Sequence, residues 1–288
     1  MEFKKLLIFT TILLLFVSCK KENPISTSNN PGGNKGNISL SQYPAPSKKY
    51  NFGIMGIDGH VIPTFGPYGF GWSAAIQCLF WSDTLNFISA KSNAYNPLFG
   101  YINRDSVLKS NWKSVYAQIN WGINHGANYF YIDDAFGDGV TGVTQSQIDN
   151  VAQYIHNLGY RLATSEYNTA LVTTNYHQHV DIIMPYEYDF SPSRLRDFFS
   201  SIRTKYPTKD LVPFLGYHAD IPGTNPVQFY PNQLGSLGGG NGCLEVAMTY
   251  TTMNLVFYYT WPGNNSTDYL DTLTTYLQKY YFLGWGYK

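Results

Sequence analysis

The stretch Ala127-Asn128-Tyr129-Phe130-Tyr131-Ile132-Asp133-Asp134 decides how the chain is read. Its middle is a short run of aromatic and β-branched residues, the composition of a strand, and it stops on two carboxylates. Thr144–Leu158 follows as an amphipathic helix ended by Gly159 at the C′ position. Tyr160–Glu166 is the next strand, Thr169–Gln178 a short helix, and Val180–Glu187 (VDIIMPYE) a further strand. Strand, helix and strand in succession imply parallel pairing with the helices packed outside the sheet.

The same alternation extends both ways. Upstream, Asn51–Asp58 reads as a strand, Ser73–Ile88 as a helix capped by Ser73, Leu98–Asn103 as a strand and Asp105–Asn124 as one long helix capped by Asp105. Downstream come a helix over Ser191–Lys205 with Pro192 in its first turn, strands at Leu211–His218 and Asn254–Trp261, and a closing helix over Thr267–Tyr281. Ile221–Gly242, rich in Gly, Pro and Asn, reads as a long loop. Leu244–Tyr250 fits a strand or a helix equally. Seven β-runs are therefore clear and an eighth is available, and they lack polar alternation, as strands buried on both faces do. The expected fold is α/β, a single (β/α)8 TIM-like barrel over residues 50–288. An open doubly wound sheet is the other architecture with this alternation. Its dinucleotide version needs G-x-G-x-x-G after the first strand, and Gly56-Ile57-Asp58-Gly59-His60 lacks that spacing.

Residues 1–49 have a different character. Lys4 and Lys5 precede an apolar run, Leu6–Val17, too short to span a bilayer comfortably and suited to a signal peptide. The run ends Leu15-Phe16-Val17-Ser18-Cys19, which resembles the lipobox of bacterial lipoproteins. The resemblance implies a signal over residues 1–18, lipidation of Cys19, and an exported protein anchored to a bacterial membrane, at the cell surface if the anchor lies in the outer leaflet. An ordinary secretory signal with an incidental Cys is the plainer alternative. Residues 19–49, rich in Asn, Ser, Pro and Gly, read as a flexible tether. Cys78 and Cys243 are either a disulfide or two buried thiols.

Composition narrows the function. Lys plus Arg and Asp plus Glu number 19 each, so no basic field exists for nucleic acid. Aromatic residues reach 17% while charged residues are only 13%. Ring faces stack on the apolar faces of sugars, and Tyr and Trp tips hydrogen-bond their hydroxyls. No Walker sequence or H-E-x-x-H occurs, and the pair His177 and His179 falls at a helix end before a strand and reads as a solvated helix terminus, so no cofactor or metal is expected; Ser165 lies in no G-x-S-x-G elbow.

In a barrel of this kind chemistry gathers where strands end. The expected strand ends carry Asp58, Asp133-Asp134, Glu166, Glu187 and the group His218 to Asp220. Helix capping accounts for an Asp after a strand, but it suits Glu poorly and leaves one member of Asp133-Asp134 unexplained. Glycoside hydrolysis needs two carboxyl groups across the scissile bond, one a proton donor and the other a base or nucleophile. The catalytic candidates are Asp133, Asp134, Glu187 and Glu166. Asp58, Tyr186, Tyr188, Tyr217, His218, Asp220 and Trp261 are the substrate-binding candidates.

Tyr129-Phe130-Tyr131-Ile132-Asp133-Asp134 resembles a strand of the spherulin-4-like and polygalactosaminidase-like barrel glycosidases, and Val180–Glu187 resembles a second strand of that group. The order and separation of the two motifs agree as well. The resemblance implies that Asp133, Asp134 and Glu187 are the acidic residues of the site and that the substrate is a galactosamine-containing or related glycan. Thr164-Ser165-Glu166-Tyr167-Asn168 departs from the group, where an Asn-Pro-Gly-like turn is expected. The reading is thus a monomeric, lipid-anchored glycosidase whose partners are a glycan and a membrane. Its alternatives are a glycan-binding lipoprotein without activity and a metal-dependent carbohydrate deacetylase.

Overall fold

The computed structural model describes residues 51–55, 72–76, 88, 96–137, 142–167, 178–186, 192–217 and 243–260. Nine strands are present among them: β1 (Asn51–Met55), β2 (Trp72–Ile76), β3 (Leu98–Tyr101), β4 (Tyr129–Ile132), β5 (Leu162–Tyr167), β6 (Ile182–Tyr186), β7 (Asp210–Leu211), β8 (Phe214–Tyr217) and β9 (Leu255–Thr260). Five helices accompany them: α1 (Arg104–Leu108), α2 (Trp112–His125), α3 (Gln145–Asn157), α4 (Pro192–Lys205) and α5 (Cys243–Tyr250). Every strand pairing is parallel, in the order β5-β4-β3-β2-β1-β9-β8-β6-β7, and β5 also pairs with β6. This is a parallel α/β sheet clothed by helices.

Two sequence expectations are corrected and one open assignment is resolved. Ser73–Ile88 was expected to begin a helix, yet Trp72–Ile76 is a strand between β1 and β3. Ser73, Ala74 and Ala75 are tolerant of helix, but two neighbouring strands offer their backbones at once, and pairing overrides local preference. The helix expected over Asp105–Asn124 is two helices. Ser110 stands between them at φ 51°, and Asn103 and Asn111, not Asp105, cap α1 and α2 by accepting from the N–H groups of Ser106 and Ser114. The undecided Leu244–Tyr250 is helix α5, so the additional strand lies at Trp72–Ile76 instead.

Other expectations hold. Gly159 follows α3 at φ 80° as expected, and the structure adds that Thr144, the first residue of the expected helix, caps it in a reciprocal box with Gln147. The strand expected over Leu211–His218 appears as β7 and β8 around Pro213, which lacks an N–H. Pairing continues through the gap, for Val212 donates to Ile183 O and Phe257 to Pro213 O.

Strand alternation separates two apolar clusters. Phe99, Tyr131, Ala163, Ile182, Met184, Tyr186, Phe214 and Phe257 pack together on one face of the sheet. Phe130, Ile132, Leu162, Ile183, Leu215 and Val256 pack on the other with the buried residues of α2 to α5, Cys243 among them. The first face is the inner one and the second carries the helices. Gly100 and Gly122 admit the Phe130 ring, since a Cβ on either would come within 2.9 Å and 2.7 Å of it. At the strand starts, Arg161 meets Asp210 at 2.5 Å and His156 meets Asp181 at 2.7 Å. Burial would raise the Asp210 carboxyl, but the Thr252 hydroxyl and Arg161 outweigh it and hold it below the usual value. Among the described residues no helix is long and apolar enough to cross a membrane.

Candidate active site

Two neighbouring strands build the described part of the site. On β4, Tyr129 and Tyr131 belong to the inner side, while Phe130 and Ile132 lie under the helices. Continuing the alternation puts Asp133 on the inner side, just past the strand's end. On β5, Ala163 is inner and Leu162 outer, so Ser165 is inner and Glu166 outer. The register pairs Ile132 with Thr164, which brings Asp133 beside Ser165. The contacts agree: Ser165 Oγ donates to Asp133 Oδ1 at 2.5 Å and accepts from the Asp134 N–H at 3.1 Å. Ser165 is completely buried.

The chain turns sharply here. Asp134 takes a left-handed conformation, φ 47°, which L residues visit at a cost that Asp and Asn tolerate best. Its carboxylate is 3.5 Å from Arg104 Nη1, on α1. Gly137, at φ 57°, completes the turn, and a Cβ there would overlap the Arg104 guanidinium. Gly137 donates to Asp134 O at 3.2 Å and Val143 to Ala135 O at 2.7 Å.

Glu166 reaches the same turn from the opposite side of β5. It is fully buried, and its Oε2 accepts from the Phe136 N–H at 3.3 Å. Its Oε1 is buried without a hydrogen-bond partner among the described residues. Burial therefore pushes the Glu166 carboxyl well above the ordinary value. The charges of Asp134 and Asp133 add to the rise, and the Phe136 and Ala135 N–H groups oppose it. Burial also raises the Asp133 carboxyl, against the Ser165 hydrogen bond and with help from the Asp134 charge; Arg104 pulls it down. Tyr101, at the end of β3, is pushed up to about 12 by burial and then by the charge of Asp133. Its ring lies 5.3 Å from that of Tyr131. The arrangement raises the Asp133 carboxyl above its ordinary value and presents it beside an aromatic wall, the direction a general acid requires.

Of the sequence candidates, Asp133, Asp134 and Glu166 come together, with Asp133 and Glu166 on opposite faces of the sheet. Tyr186, at the end of β6, is buried on the inner face with its ring edge-on to Phe214 at 5.6 Å. Tyr217 ends β8, in register with Thr260. Asp58, Glu187, Tyr188, His218, Asp220, Trp261 and Cys19 lie outside the described residues, as does Cys78. Tyr101, Arg104 and Ser165 belong to the site and were not singled out by sequence. Arg104 stood in the sequence only between the expected strand end at Asn103 and the expected cap at Asp105, and Ser165 becomes meaningful only once the β4–β5 register is known. Among the described residues no group of three or more His, Cys, Asp or Glu is placed to hold a metal ion.

No protein-family model matches the chain, and no curated protein matches it. Solved structures do. A putative alpha-L-fucosidase from Bacteroides thetaiotaomicron superposes with a TM-score of 0.54 at 9% identity, over 90% of this chain and 99% of that one. An endo-beta-N-acetylglucosaminidase from Cordyceps militaris gives 0.49 at 11% identity, over 83% and 91%. An FMN-binding beta-glucuronidase from Facaelibacterium prausnitzii L2-6 gives 0.44 at 8% identity over 62% of this chain, which spans only 32% of that one. An aldolase and a putative phosphonomutase match as well. At these identities the likeness speaks to fold alone, a TIM-barrel-like α/β arrangement that hosts glycoside hydrolases and other chemistries.

Proposed function

We propose that the chain is a glycoside hydrolase built on a (β/α)8 barrel over residues 50–288, acting on a glycan by two-carboxylate chemistry at the strand ends. The pairings support the barrel, for the succession β1–β2–β3–β4–β5–β6–β8–β9 returns to β1. The observation that carries the function is Asp133: an inner-facing carboxyl at the end of β4, held above its ordinary value by burial and oriented by Ser165. It is the proton donor to the leaving oxygen. Its partner is Glu187, the residue after Tyr186 at the end of β6, one strand beyond β5. Depending on their separation, Glu187 either attacks the anomeric carbon or activates a water. Asp134 and Arg104 form the rim, and Glu166 holds the turn that carries both aspartates. Tyr186, Tyr188, Tyr217 and Trp261 stack on sugar rings, and Asp58, His218 and Asp220 bind hydroxyls. Residues 1–18 are a signal, Cys19 carries the lipid, and residues 19–49 tether the domain to a bacterial membrane.

The test is a screen of the domain from Ser47 onward against amino-sugar polymers and plant and host glycans. Hydrolysis that is lost in Asp133→Asn and in Glu187→Gln, with binding retained, supports the proposal. Binding by the parent without hydrolysis of any glycan replaces it with a glycan-binding lipoprotein.

A further inference from the structure

We infer that Ser165 is the positioning residue for Asp133: its hydroxyl, directed by the Asp134 N–H, donates to Asp133 Oδ1 and leaves Oδ2 as the oxygen that carries the acid proton. That Asp133 is an acid toward substrate rests on the proposed function; the direction of the hydrogen bond does not.

The argument is one of donors and acceptors. A serine hydroxyl has one hydrogen and two lone pairs. The Asp134 N–H, 3.1 Å from Oγ, occupies a lone pair, because a backbone N–H only donates. Asp133 Oδ1 lies 2.5 Å from the same Oγ and receives its hydrogen. With Ser165 donating to Oδ1, the proton of the neutral acid resides on Oδ2; the opposite arrangement, a protonated Oδ1 donating to the second Ser165 lone pair, is the one the test below separates from it.

The platform is rigid. Ser165 is completely buried, and its strand is paired on both edges, with Ser165 opposite Met184 of β6. The next residue, Glu166, points to the other face and accepts the Phe136 N–H. The turn from Asp133 to Gly137 is thus held from two sides by consecutive residues of one strand, which is what keeps Asp134 at φ 47°. Among the described residues, the titratable and charged groups around Asp133 are Tyr101 from β3, Arg104 from α1, its neighbour Asp134, and Glu166 from β5. A hydrogen bond donated to the ionised form favours that form, so Ser165 works against burial and brings the acid within reach of release.

The test is carbon-13 NMR of the full-length chain labelled at aspartate Cγ, with Asp133→Asn identifying the resonance. In Ser165→Ala the Asp133 midpoint is expected to move to higher pH. Ser165→Cys, which keeps the shape and a weaker donor, should move it less, and serves alone if the Ala variant does not fold. An unchanged midpoint reduces Ser165 to packing and overturns the inference. A midpoint moved to lower pH overturns it too, for the bond then runs from a protonated Asp133 to Ser165. Finding no glycan that the protein hydrolyses would defeat the proposed function and leave this measurement standing.

Discussion

Glu166→Gln should leave stability little changed in acid and raise it progressively toward neutral pH. In the folded chain Glu166 is fully buried, with the Phe136 and Ala135 N–H groups against its carboxyl and no hydrogen-bond partner on Oε1 among the described residues, beside two aspartates. It therefore keeps its proton to well above the ordinary value of 4.5. In the unfolded chain it releases that proton near the ordinary value. Between the two midpoints the folded state binds one more proton than the unfolded state, so stability falls as pH rises, by about 1.4 kcal/mol per pH unit. The contribution is complete below the unfolded midpoint and is lost as pH climbs toward the folded one. Gln is neutral throughout and has no such slope. The gain of the variant on the parent therefore grows with pH for as long as Glu166 stays protonated in the folded chain alone. Asp133, also raised, slopes the same way in both proteins and cancels from the comparison. Urea unfolding of both chains at steps from about pH 4 to pH 7 measures the difference. A constant offset between the two curves would refute the reasoning, because it would mean that Glu166 ionises alike in both states.

Gly122→Ala lies in the interior of α2, where Ala ordinarily stabilises by about 1 kcal/mol. Here the added Cβ would come within 2.7 Å of the buried Phe130 ring, so urea unfolding should show destabilisation; a gain would mean that the ring yields. Gly137→Ala should cost about 1–2 kcal/mol for the left-handed backbone, and more for displacing Arg104; an unfolding midpoint equal to the parent's would contradict the tight turn. Asp133→Asn should lower the ionisation midpoint of Tyr101 from about 12, since the Asp133 charge is the second cause of its rise. Ultraviolet titration against a Tyr101→Phe blank reads this, and an unmoved midpoint would place Asp133 too far from the phenol to matter.

Alternation of strand and helix, the C′ glycine at Gly159, and the pair of aspartates closing β4 were all legible in the chain itself. Each is a local matter, governed by side-chain period and by the few hydrogen bonds a terminus can make. Which helix-tolerant segment would become a strand was not local. Trp72–Ile76 is a strand because β1 and β3 lie on either side of it, and Leu244–Tyr250 could be assigned only once packed. The site divides in the same way. Asp133 and Glu166 both read as strand-end acids, yet the pleat and the β4–β5 register put the first on the inner face and the second beneath the turn. Ser165 and Arg104 acquire roles only through partners 32 and 30 residues away. Sequence periodicity specifies what one element prefers; only the pairing of elements decides which face a side chain meets and how far water is kept from it.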